Sequence, residues 1–265
     1  MKIRQINLQK KIISNDAFID YLIKDDKNTI YLIQEPYLSK KGTIPGLPSS
    51  MFNIYGVHDT TMRACIVSPK HLPVYKNSSL TNRDHSTVLY DDGKNKFYLS
   101  SIYLDIHLPV VSPLLVKMCD FFQDNNMTAY FGCDSNAHSK LWNCPEYNSR
   151  GIDLDEHILK YSMYLLNRGS SPTWQSSRFQ SIIDISLYMN SAHTVHGWHV
   201  KNEHFMCDHN MIEYTIELSK VELPTVKKID WIRFQNVLNI KEHYYDAYFY
   251  SENAKNILRR VTYIT

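Results

Sequence analysis

Apolar positions along the chain follow two spacings, and the switches between them divide it into elements. Ile3, Ile6 and Leu8 predict a short first strand, and Phe18, Tyr21 and Leu22 share a face of a following helix with Ser14 as its candidate cap. Thr29–Gln34 (TIYLIQ) is an unbroken β-favouring run stopped by Glu35-Pro36, the pattern of a strand covered on both faces. After a loop at 38–50, strand-like pieces fall at 52–57, 62–67, 86–90 and 96–104, separated by Gly, Pro, Asn and Asp. Helical spacing returns at 113–123 through Leu114, Leu115, Met118, Phe121 and Phe122, and leads into a buried strand at 128–132. Residues 136–149 read as an irregular loop, and 151–167 as a helix with Ile152, Ile158, Leu159, Leu165 and Leu166 turned inward. Strands follow at 182–188, 195–200 and 211–217. Beyond Pro224, Trp231, Phe234 and Leu238 suggest one short amphipathic helix, and Ile257, Leu258 and Val261 another.

Many strands with few interspersed helices predict an α/β or α+β sandwich rather than a doubly wound sheet. The expected organisation is one domain over 1–220 and a helical extension or linker over 221–265, too short to bury a core of its own. Neither G-x-G-x-x-G nor a Walker A sequence occurs, so dinucleotide and P-loop chemistry drop out.

Composition narrows the class. With 265 residues, 43% hydrophobic and 21% charged, the chain is globular. No run of 18 apolar residues occurs, and MKIRQINLQK lacks the apolar core of a signal peptide, so no membrane or secretory role is expected. Five cysteines without a C-x-x-C pair fit reduced thiols in a nuclear or cytoplasmic setting. Charge is nearly balanced, at 29 Lys+Arg against 27 Asp+Glu. A protein that held nucleic acid only by blanketing phosphates would show a basic excess. Any nucleic-acid binding must therefore use a local basic patch, or a cation that offsets clustered carboxylates.

Candidate chemistry sits where apolar strands finish. Asn7 interrupts the first strand, Glu35 ends the second, Tyr103 closes 96–104, Asp134 and Asn136 follow 128–132, and Asp208-His209 precede the last strand. Asp184 lies between Ile183 and Ile185, so it is buried and needs a partner. If Glu35, Asp134, Asp184 and Asp208 converge, their repulsion of about 4 kcal/mol per close pair demands a cation. Oxygen ligands select Mg²⁺ or Mn²⁺, which points to metal-assisted attack on a phosphorus ester.

These residues occur in the order of a known family. Asn7, Gln34-Glu35-Pro36-Tyr37, Tyr103, the run Gly132-Cys133-Asp134-Ser135-Asn136-Ala137-His138-Ser139, Ile183-Asp184 and Asp208-His209 resemble the endonuclease/exonuclease/phosphatase superfamily. Leu141-Trp142, Asn148-Ser149-Arg150-Gly151 and Pro172-Thr173 narrow the resemblance to the apurinic/apyrimidinic-endonuclease-like domain of non-LTR retrotransposons. It implies a four-layered α/β sandwich with two central mixed β-sheets flanked by helices. It also implies an enzyme that nicks one strand of double-stranded DNA, leaves a 3′-hydroxyl, and works with a reverse transcriptase domain or a retroelement RNA–protein particle. By the same resemblance Glu35 ligates the metal, with Asn7 and Asp208 beside it, and Asp134 with Asn136 orients or deprotonates water. His209, positioned by Asp184, and Tyr103 serve the phosphate, and Asn7, Tyr103, Asn136 and His138 contact substrate. Cys133 before Asp134 and Cys207 before Asp208 depart from the family pattern. Three other readings stand beside this one: another phosphoester substrate on the same fold, an inactive DNA-binding domain, and a zinc module of His193, His196, His199, His204, Cys207 and His209.

Overall fold

The computed structural model describes residues 1–219 other than 192 and 202, all within a compact unit, Met1–Val221. The expected extension after Pro224 lies outside the described residues.

Two six-stranded mixed sheets form the centre. In the first the order is β13 (Val195–Val200), β14 (Ile212–Ile216), β1 (Lys2–Asn7), β2 (Thr29–Gln34), β4 (Ala64–Pro69), β3 (Phe52–Tyr55). In the second it is β5 (Val74–Lys76), β6 (His85–Asp91), β7 (Lys96–Tyr103), β8 (Ala129–Asp134), β12 (Asp184–Met189), β9 (Tyr164–Leu165). A small hairpin, β10 (Trp174–Gln175) with β11 (Gln180–Ser181), stands apart from both. The parallel pairs are β1 with β2 and β7 with β8, each joined by a crossover helix, α1 (Ile12–Lys24) and α2 (Pro113–Asp124).

Three apolar clusters define four layers. Ile3, Ile30 and Leu32 of the first sheet meet Val88, Leu99 and Tyr130 of the second. On the first sheet's other face Phe18, Ile19 and Leu22 of α1 cover Ile6, Tyr31 and Ile33. On the second sheet's other face, Leu115, Met118 and Phe122 of α2 and Leu154 and Ile158 of α3 (Ser149–Lys160) cover Ile102, Phe131 and Ile185. Strands β2, β4 and β8 are buried at every residue because both their faces are covered.

A few polar contacts lock the sheets in register. Gln34 Nε2 donates to Ser101 Oγ at 2.9 Å, and Ser101 Oγ donates to the Ile33 carbonyl at 2.9 Å. Gly132 permits this close approach, since a Cβ there would meet Leu32 Cδ1 at 2.7 Å and Gln5 Oε1 at 2.9 Å. Strand ends carrying Asn7, Gln34, Tyr103 and Asp134 are thereby fixed relative to one another.

Two of the expected helices differ in the structure. Helix α1 starts at Ile12, so Ser14 lies inside it, buried, and is not its cap. Gln9 and Lys10 both take positive φ, turning the chain directly from β1 into the helix. The helix expected over 151–167 spans Ser149–Lys160, and Leu165 belongs to β9, paired with Leu187. Its buried face is Leu154, His157 and Ile158, while Ile152 and Leu159 are exposed. Steps of three and four residues from Leu154 reach 157 and 158, which share its face, whereas 152 lies two residues away on another side.

Burial pushes the imidazoles of His85 and His157 down to about 4. Each depressed value favours the native state above the ordinary value of 6.5, an advantage lost as pH falls toward 4. Between pH 7 and 5 each histidine should cost about 2 kcal/mol of stability. Urea unfolding of His157→Gln at both pH values checks this, since the variant should lose about 2 kcal/mol less than wild type.

Candidate active site

The candidate residues arrive from both sheets at one end of the sandwich. Asn7 ends β1, opposite Gln34 at the end of β2. Asp134 ends β8 with Tyr103 of β7 on one side and Asp184, the first residue of β12, on the other. Asp208 and His209 are delivered just before β14, where Gln175 N donates to the Asp208 carbonyl at 2.7 Å and Trp174 bridges to His209.

Glu35 follows β2 in a left-handed conformation (φ 45°), rare for a residue with a Cβ. Its N–H donates to the Arg63 carbonyl at 2.7 Å and its carbonyl accepts from Lys10 N at 2.8 Å. Asn136 is likewise left-handed (φ 46°), which asparagine tolerates better than most residues.

Side chains then interlock. Asn7 Nδ2 donates to Asp134 Oδ2 at 2.7 Å and leans on Glu35 Oε2 at 3.4 Å, so one amide faces two carboxylates. Its oxygen accepts from Gln9 N at 2.7 Å, so toward the site Asn7 presents a donor, whereas metal ligation needs an oxygen. Gln9 Nε2 donates to Asp208 Oδ2 at 2.7 Å, and Lys10 pairs with Glu35 at 3.1 Å. His209 Nδ1 meets Asp184 Oδ2 at 2.8 Å, and its Nε2 lies 3.9 Å from Asp208 Oδ1. Ligand-capable atoms of Asp134, Asp184 and His209 all lie within 4.8 Å of one another.

Burial and the adjacent Asp184 push the Asp134 carboxyl up to about 7, against the pull of His209 and the Asn7 hydrogen bond. Burial alone would lower His209, yet Asp184, Asp134 and Asp208 together push it up to about 9. At neutral pH this imidazole is therefore a cation. Burial, then Glu35 and Asp134, raise the Tyr103 phenol, which stays protonated.

Two carboxylate oxygens at the site, Asp184 Oδ1 and Asp208 Oδ1, are buried with no hydrogen-bond partner among the described residues. Buried, unpaired anionic oxygens are costly, and beside Asp134 and Glu35 they fit a hard divalent cation. The donor set contains no thiolate and one imidazole, already engaged by Asp184.

His138 stands apart from this cluster. Its Nδ1 faces Ser181 Oγ at 3.1 Å and Cys144 Sγ at 3.3 Å, on the side of the β10–β11 hairpin. The zinc module does not assemble, because Asp134, Asp184 and His209 are the one metal-capable cluster among the described residues. His193 instead faces the Tyr130 hydroxyl at 3.3 Å. The five cysteines are free, and no described helix is long and apolar enough to cross a membrane.

Sequence reasoning missed Gln9, Lys10 and Arg63. Arg63 stacks on the Tyr103 ring at 4.8 Å while its guanidinium bonds Asp84 at 2.5 Å and Asp105 at 2.7 Å. Lys10, Arg63 and Arg83 also line a cleft of about 470 Å³ with Tyr37 and Thr61. Nothing local marks these residues, since their partners arrive from distant segments.

Residues 97–213 match the endonuclease–reverse transcriptase family model. No curated protein matches the chain by sequence. The endonuclease domain of TRAS1, a telomere-specific non-LTR retrotransposon, superposes with a TM-score of 0.69 at 26% identity, covering 83% of this chain and 99% of that one. The AP endonuclease LMAP from Leishmania major has a TM-score of 0.64 at 11% identity, over 82% of this chain and 88% of its own. For the Xenopus laevis APE2 catalytic domain the values are 0.59, 13%, 82% and 91%. The last two likenesses show the fold alone, that of a DNase I-like α/β sandwich. With its strand-end carboxylates and imidazole in place, the chain resembles the endonuclease/exonuclease/phosphatase superfamily and, within it, the endonuclease domains of non-LTR retrotransposons.

Proposed function

We propose that this protein is a divalent-metal-dependent DNA endonuclease that nicks one strand of a duplex and leaves a 3′-hydroxyl to prime reverse transcription. The observation that carries the proposal is the convergence of Asp134, Asp184 and His209 within 4.8 Å, with Glu35 and Asp208 alongside. Glu35, Asp208 and Asp134 are the oxygen donors that would hold Mg²⁺ or Mn²⁺. When bound, the cation supplies Lewis-acid polarisation of the phosphodiester and neutralises developing charge.

The chain's own groups divide the remaining work. Asp134 orients water and accepts its proton as the oxygen attacks phosphorus and the P–O3′ bond breaks, the leaving 3′-oxygen taking a proton from solvent. Asn136 spends its amide nitrogen on the Leu104 carbonyl at 3.1 Å, leaving its oxygen as an acceptor for that water. His209 donates from Nε2 to a non-bridging phosphate oxygen, and Asp184 fixes Nδ1–H and sustains the positive charge. Tyr103, kept protonated, is a second donor to phosphate. Asn7 holds Asp134 and Glu35 in place, and His138 borders the substrate.

The nearly neutral body reaches DNA through Lys10, Arg63 and Arg83 in the adjoining cleft, while loops 38–50 and 138–150 read groove shape. A reverse transcriptase domain or a retroelement RNA–protein particle is the expected partner, in the nucleus or cytoplasm.

Supercoiled plasmid tests this directly. With Mg²⁺ the open-circular form should accumulate, EDTA should stop it, and a DNA polymerase should extend the nick without prior phosphatase treatment. Turnover of a soluble phosphate ester with intact plasmid would overturn the DNA assignment in favour of another phosphoester.

A further inference from the structure

Arg150 is a cation in an unfavourable place. It occupies the first turn of α3, where the helix dipole disfavours positive charge, and among the described residues no carboxylate hydrogen-bonds its guanidinium. Each of its hydrogen bonds to the described residues goes to a main-chain carbonyl. Nε donates to Asn136 O at 2.9 Å, Nη1 to Leu108 O at 2.5 Å and Ile106 O at 3.4 Å, and Nη2 to Leu104 O and Ser135 O, each at 3.2 Å.

Those carbonyls belong to the two segments that leave β7 and β8. One begins right after Tyr103 and carries Asp105, the partner of Arg63. The other follows Asp134 and includes Asn136 in its left-handed conformation. Leu104 O accepts from both Arg150 and Asn136 Nδ2, and Leu104 N donates to Asp134 O at 2.9 Å. One planar fork of five donors therefore ties both loops to the base of α3.

The neighbouring residues complete the tie. Asn148 Oδ1 accepts from His138 N at 3.1 Å and from Gly151 N at 2.8 Å, and Asn148 N donates to His138 O at 3.1 Å. At Gly151 a Cβ would stand 1.9 Å from the His138 carbonyl oxygen, so only glycine admits this approach. Ser139 Oγ donates to Asp155 Oδ2 at 2.7 Å.

We infer that Arg150 is a positioning residue for strand cleavage, holding Asp134, Asn136 and Tyr103 in productive register by clamping the main chain of the 104–108 and 134–136 loops. This rests on the nuclease reading above.

Lysine cannot replace this fork, since an ammonium offers three donors from one point. Arg150→Ala and Arg150→Lys should each lower the single-turnover nicking rate at saturating protein about a hundredfold, the scale of an ångström-sized misplacement. Half-saturating protein concentration should stay within about threefold, because plasmid affinity comes mainly from phosphate contacts elsewhere. Added guanidinium at millimolar concentration should restore part of the Arg150→Ala rate, and ethylammonium should not.

Wild-type rates in either variant would overturn the inference. So would a loss confined to half-saturation, which would mark Arg150 as a direct phosphate contact. Rate loss in Arg150→Lys accompanied by melting below the assay temperature, with no guanidinium rescue of Arg150→Ala, would reduce the residue to a structural one. Failure of wild type to nick at all would instead remove the nuclease reading.

Discussion

An Asp184→Asn protein is expected to fold and yet to nick at least about a thousandfold more slowly than wild type, by analogy with carboxylate-to-amide changes behind catalytic histidines. Asp184 does most to keep His209 charged: burial lowers the imidazole, and the carboxylate at 2.8 Å, together with Asp134 and Asp208, more than offsets it. An amide in its place leaves a buried, neutral ring. If the amide oxygen faces Nδ1–H, Nε2 loses its proton. If the amide N–H₂ faces Nδ1, Nε2 keeps a proton but the ring has no charge. Either way the phosphate loses a cationic donor.

Two measurements distinguish this account from general damage. In wild type the alkaline limb of the nicking profile should follow His209 near its value of about 9, with activity falling as pH rises through it. In Asp184→Asn that limb should move to lower pH, because desolvation is then opposed only by Asp134 and Asp208. The double variant with His209→Ala should also be little slower than His209→Ala alone, since Asp184 reaches the phosphate through the ring. Fully additive losses would remove the pairing from the mechanism.

How legible the site was depends on what each residue needs. Asp184 was readable because isoleucines flank it, and a charge in an apolar strand has few alternatives to a partner. Strands β2, β4 and β8 were readable because burial at every residue leaves a largely apolar run. Strands β5 and β9 to β11, of three and two residues, are too short to establish a period. The left-handed turn that aims Glu35 leaves no sequence mark, since neither glycine nor asparagine occupies it. Gln9 and Arg63 were invisible for another reason. Their meaning lies in Asp208, 199 positions away, and in Asp105, 42 positions away. The Asn148–Gly151 signature was seen as a resemblance, and the structure supplies its physics in the carbonyl clamp.

The Asp134→Asn variant should separate stability from activity. Asp134 is fully buried, and its ionised form is opposed first by desolvation and next by Asp184 on the adjoining strand. Its folded value of about 7 lies above the ordinary 3.8, so the native state holds the proton more tightly than the unfolded chain. The sign follows: the stability tied to this proton is complete below 3.8 and is lost as pH rises through 7. Between pH 5 and pH 8 in metal-free buffer the loss should be on the order of 2–3 kcal/mol. A neutral amide cannot ionise and still offers an oxygen to Asn7 Nδ2, so Asp134→Asn should be more stable than wild type at pH 8 and nearly equal at pH 5. Added Mg²⁺ should narrow the gap at pH 8 by stabilising wild type, through binding to the native state alone. Nicking should nonetheless be lost at every pH, because the amide cannot accept the proton of the attacking water. Chemical unfolding at the two pH values, with and without Mg²⁺, provides the check. Equal stability of the two proteins at pH 8 would mean that the carboxylate pair carries no electrostatic cost, and with it would go the reason for a cation between these strands.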